Sequence, residues 1–142
     1  MKWLTDVFRS RASKVPTYNF STAMDALARN ASADHRIAAA NVIAKFAAAG
    51  DDERIKLTML NMLLIHLCFD KSDAVAHACL EVARAVDPAW TKTQIVRART
   101  MLASAGPSSL SEGLGFHNVM GSSDVYLSMT AAASRTPSRL KL

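Results

Sequence analysis

Apolar residues recur at helical spacing through most of this chain. Val75, Cys79, Val82 and Val86 fall at i, i+4, i+7 and i+11, the stripe of a half-buried helix. Ile37, Ala40, Ala44 and Ala47 make a second stripe, widened by Ile43, and Ser32 and Gly50 bracket it as N-cap and left-handed stop. Between them, Asp51, Asp52 and Glu53 open a segment that is apolar on nearly every side as far as Phe69, which predicts a helix at the centre of a bundle. Asp70 to Asp73 form a polar break with a further set of acids for the next helix start. Thr22 and Asp25 predict a capping box for a helix ending near Asn30, with Met24, Leu27, Ala28 and Ala31 on its buried side. Thr91 and Gln94 predict another capping box, stapled by Trp90 and Ile95, for a helix that stops at Ala105-Gly106-Pro107. No long alternating run of β-branched and aromatic residues competes with these helices.

The expected fold is all-α. A bundle of about five helices spans 20–106, with an amphipathic basic arm at 1–19 and a Ser-rich, partly disordered tail at 107–142. A short helix is expected at 124–133, capped by Ser123, and a mobile basic end at 134–142. The expected core is Leu27, Ile37, Ile43, Phe46, Leu60, Leu63, Leu64, Leu67, Val75, Cys79, Val82, Ile95 and Leu102. Asp34-His35-Arg36-Ile37 and Asp52-Glu53-Arg54-Ile55 echo each other, but shared capping needs explain this as well as a duplication would, and no third copy makes a solenoid.

Composition sharpens this picture little. Half of the residues are hydrophobic but only 6% are aromatic, so alanine supplies much of the apolar surface and favours close helix packing. The net charge is +5, with the excess concentrated in residues 1–31 and the middle of the chain nearly balanced. Asp6 interrupts the only early apolar stretch, Trp3 to Phe8, so no secretory signal is read and an intracellular, soluble protein is expected; organellar import stays open. The densest apolar segment, Leu57 to Phe69, would reach ~20 Å as a helix, short of the ~30 Å of a bilayer core.

Candidate chemistry is sparse. His66-Leu67-Cys68 and His77-Ala78-Cys79 hold zinc-type ligands, but residues two apart on a helix point about 200° from each other, so one helix cannot aim both at one ion. Neither a metal nor a cofactor is expected, and no small-molecule substrate. Seven of the eight carboxylates in 32–106 (Asp34, Asp51, Asp52, Glu53, Asp70, Asp73 and Asp87) lie at or just before expected helix starts, and Glu81 has Arg84 beside it, which leaves no catalytic pair. No nucleophile elbow or phosphate loop occurs. The first expectation is therefore a non-enzymatic interaction or assembly protein, in a scaffold, accessory or viral structural role, with a protein partner or self-association and with Trp3 and Phe8 as docking residues. The alternative is a nucleic acid or an anionic membrane surface, contacted by Lys2, Arg9, Arg11 and Lys14 on the arm and by Lys92, Arg97 and Arg99 on the last strong helix. Arg135-Thr136-Pro137-Ser138-Arg139 is also a possible phosphorylation segment.

Overall fold

The computed structural model describes the backbone of residues 18–113 and 136–140, and the side chains of 18–105 and 136–140. All regular structure in this range is helical: α1 (Phe20–Arg29), α2 (Ala33–Ala49), α3 (Glu53–Phe69), α4 (Asp73–Val86), α5 (Pro88–Gly113) and the single turn α6 (Thr136–Arg139). The expected bundle is therefore observed. Helices α2, α3 and α4 each pack against the other two; α1 flanks α2, α5 flanks α4, and α6 sits on α3.

The links follow one pattern. Asn30-Ala31-Ser32, Gly50-Asp51-Asp52 and Asp70-Lys71-Ser72 each run C-cap, one residue, N-cap, so α2, α3 and α4 begin twenty residues apart, at 33, 53 and 73. Every C-cap is extended rather than left-handed. Gly50 shares this geometry, with φ −81°, so it is not the left-handed stop its position suggests: the next residue but one must be an extended N-cap, and an extended C-cap leads straight into it. The echo between residues 34–37 and 52–55 is not the structural repeat, because Arg36 is the fourth residue of its helix and Arg54 the second of its own.

The core sits on α3. From Met59 to Phe69 only Asn61 is not fully buried, and at ~1.5–3 kcal/mol for each large apolar side chain withdrawn from water this helix dominates the hydrophobic stabilisation. Alanines 39, 40, 44 and 47 of α2 are buried against it and its neighbours, and their small size lets three helices meet. Leu27, Ile43, Leu60, Leu63, Leu64, Leu67, Val75, Cys79 and Ile95 are core residues as expected, with Ile37, Val82 and Leu102 partly buried around them. Phe46 is not in the core; it is 47% exposed and lies against Phe20, with ring centroids 5.1 Å apart.

Three boundaries differ from the sequence reading. Helix α1 starts two residues earlier than Thr22, because Asn19 is the stronger cap: its Oδ1 accepts from the Thr22 amide at 2.9 Å while the Thr22 hydroxyl oxygen accepts from the Asn19 amide at 3.0 Å. Helix α5 starts at Pro88, with Asp87 accepting from the Trp90 amide at 3.0 Å; Thr91 is no cap but a buried hydroxyl donating to the Ala83 carbonyl at 3.0 Å. The same helix runs past Gly106-Pro107 to Gly113. Pro107 has no N–H for the Ala103 carbonyl, but the exposed turn at 103–105 leaves that carbonyl to water. The expected helix at 124–133 lies outside the described residues. Residues 136–140, expected to be a mobile end, are packed, with Thr136 and Leu140 fully buried.

Candidate functional site

Three places gather chemistry. The first is a buried ion cluster where α2, α3 and the α3–α4 link meet. Arg36 projects from the first turn of α2 and donates to Asp70 through both prongs of its guanidinium, Nε to Oδ2 at 3.0 Å and Nη2 to Oδ1 at 2.9 Å. Its Nη1 donates to the carbonyls of Asn30 and Ala31, which closes the α1–α2 link. Asp70 also binds His66 Nδ1 at 2.7 Å and accepts from the Ser72 amide at 2.9 Å. Arg36 and Asp70 are 3% and 2% exposed. Burial pushes the Asp70 carboxyl up, but the bonds from His66 and Arg36 outweigh it and hold the group at about 2. A carboxylate can only accept, so His66 Nδ1 carries the proton. His66 Nε2 is buried and makes no hydrogen bond among the described residues.

A looser copy of this clasp lies one helix on. Lys56, the fourth residue of α3, reaches Asp87, the C-cap of α4, at 3.1 Å, as Arg36, the fourth residue of α2, reaches Asp70, the C-cap of α3. Asp87 is held below the usual carboxylate range by the Trp90 amide and then by Lys56. Asp70 and Asp87 thus belong to helix ends as well as helix starts, a role that the acid pattern alone does not reveal.

The cluster offers no open chemistry. Among the described residues no three His, Cys, Asp or Glu side chains group as a metal site. Cys68 and Cys79 are buried free thiols; burial pushes Cys68 up to about 12 and Cys79 up as well, away from the thiolate form that reacts. His77 is exposed, apart from His66.

The second place is a groove of about 520 Å³ between α1 and the first turns of α3, lined by Phe20, Met24, Asp52, Arg54, Ile55, Thr58 and Met59. Ile55 is 50% exposed in it, and Phe46 extends its wall through Phe20. Asp52 and Arg54 line the groove, with Asp51 exposed beside them, while Glu53 pairs with Lys56 at 3.8 Å.

The third is the exposed side of α5. Lys92, Arg97 and Arg99 are all exposed. Lys92 and Arg99, seven residues apart, share a face with Val96 between them, whereas Arg97 points about 200° from Arg99. The three expected bases are therefore split between two faces. Lys2, Trp3, Phe8, Arg9, Arg11 and Lys14 lie outside the described residues. No described helix is long and apolar enough to cross a membrane.

No family model, curated protein or solved structure matches this chain.

Proposed function

We propose that this protein is a non-enzymatic interaction and assembly module, and that its groove between α1 and α3 receives the basic amphipathic segment of a second copy of the chain. The observation carrying this reading is a pair of large apolar side chains left in water, Phe46 and Ile55, beside an apolar floor and an acidic rim. A complementary ligand is apolar on one face and basic on the other. Residues 2–14 have that composition: Trp3, Leu4, Val7 and Phe8 supply the apolar face, and Lys2, Arg9, Arg11 and Lys14 the charge for Asp52 in the groove and Asp51 beside it.

Light scattering on the eluting protein, over a concentration series at low and high salt, tests it. The expected result is a defined oligomer that dissociates in both Ile55→Asp and Phe8→Asp. A monomer at every concentration, or an oligomer indifferent to both substitutions, overturns the reading. A monomer whose Trp3 fluorescence changes in Ile55→Asp assigns the groove to the chain's own segment instead. A nucleic-acid absorbance ratio that vanishes at high salt moves the function to an anionic partner on Lys92, Arg99 and the 2–14 segment.

A further inference from the structure

The root of the basic segment is fixed at the wall of its own groove. Tyr18 is half-buried against the core, its hydroxyl binds His35 Nδ1, and the two rings meet edge-on with centroids 6.0 Å apart. Asn19 then caps α1, and Phe20 both lines the groove and lies against Phe46. Three consecutive residues thus hold the chain at one place. Only Val15, Pro16 and Thr17 separate Tyr18 from residues 2–14, and three residues reach at most about 10 Å.

Root and groove therefore share one edge of the molecule, and this restricts how copies can join. A segment enters the groove of a second copy only if its own root comes to that groove's edge, where the second copy's root already stands. In an open chain of copies, every such edge would have to admit the root of the copy before and the body of the copy after, side by side. If the second copy instead returns its segment to the first, one contact fills both grooves and nothing else need approach.

Charge agrees with a facing arrangement. Two facing grooves bring Asp51 and Asp52 of both copies together, and Lys2, Arg9, Arg11 and Lys14 of both segments supply the opposite sign between them. The same contact covers Phe46 and Ile55 of each copy.

We propose that two copies exchange residues 2–14 reciprocally across a two-fold axis beside Phe20, so that each groove is completed by the other chain and assembly stops at two. This closure rests on the groove receiving residues 2–14. Once one segment has docked, the second acts at an effective concentration in the millimolar range, so the two contacts hold together.

The test uses the full-length chain with Val7→Cys on the segment and Thr58→Cys, an exposed position of the groove, joined by a short bis-maleimide and run on a denaturing gel. The wild type, whose Cys68 and Cys79 are buried, is the control and should stay unjoined. The expected result is a joined dimer as the largest species. A ladder of trimers and longer species keeps the groove reading and overturns closure. Bridges confined to single chains overturn both. If the variant does not fold or does not join, light scattering on the wild type decides. A mass fixed at twice that of one chain across a wide concentration range supports closure. A mass that keeps growing, or that settles at three or more chains, overturns closure alone, and a single-chain mass throughout overturns the groove reading with it.

Discussion

The two clasps share a plan and differ in setting. Each ties a base in the first turn of one helix to the aspartate ending the next, and each aspartate also braces the start of the following helix. The Arg36–Asp70 clasp is two-pronged and out of water, whereas Lys56 and Asp87 meet at one point, with 22% and 24% of their side chains exposed. Burial changes what such a pair does. In water the two ions lose little by parting; in the interior each has given up its hydration and depends on the other. The residue types follow: the planar guanidinium can satisfy a carboxylate and two backbone carbonyls together, and an ammonium cannot match that fork.

The largest effect should come from breaking the buried clasp on one side. Asp70→Ala leaves Arg36 charged and unpaired in the interior, and urea unfolding should record a loss of about 3–5 kcal/mol. Asp87→Ala removes a partly exposed ion pair and the cap on Trp90, and should cost about 1–2 kcal/mol in the same measurement. Equal losses would break the comparison. Thiol labelling sharpens it: burial keeps the Cys79 thiol unreactive, so its reaction with a disulfide reagent reports opening of the core, and Asp70→Ala should speed it more than Asp87→Ala does.

Acid supplies the next effect. The folded pKa of Asp70, about 2, is depressed from an ordinary 3.8. Its contribution is therefore complete above pH 4 and disappears as pH falls from 4 to 2, by about 2 kcal/mol at 1.36 kcal/mol per unit. Unfolding measured across that window should show the fall in the wild type and lack this share of it in Asp70→Asn. A wild-type stability flat from pH 4 to 2 would remove the claim. The smallest effect belongs to Lys56→Ala, a few tenths of a kcal/mol to about 1, vanishing in 1 M salt; a loss that survives salt would mean the outer clasp is not screened as its exposure requires.

Much of the fold was legible because its signals are local. Ser32, Asp52 and the alanine and valine stripes announce helices within one or two turns of themselves, and α2, α3 and α4 lie where those stripes put them. What was not legible depends on distance along the chain. Arg36 reads as an ordinary charge near a helix start, and its partner lies 34 residues away. Asp70 reads as an acid before the next helix, which it also is, and that local role hid the ion pair. Phe46 was expected inside from its residue type, but the buried positions of α2 around it are filled by alanines. The signal that could have found the clasps is the twenty-residue spacing of Ser32, Asp52 and Ser72, which places Arg36 and Lys56 in equivalent positions. Thr136 and Arg139 read as a modification segment, but with Leu140 they fall at i, i+3 and i+4, the spacing of a packed helical face.

The two clasps also overlap along the chain, because Lys56 lies between Arg36 and Asp70 while Asp87 lies beyond both. Only α3 belongs to both loops: freeing α2 opens the Arg36–Asp70 clasp alone, freeing α4 opens the Lys56–Asp87 clasp alone, and freeing α3 opens both. A molecule drawn apart from residues 18 and 113 should therefore shed α1 and α5 first, since both lie outside the loops, then α4, whose clasp is partly exposed, and last the α2–α3 pair joined by the buried clasp.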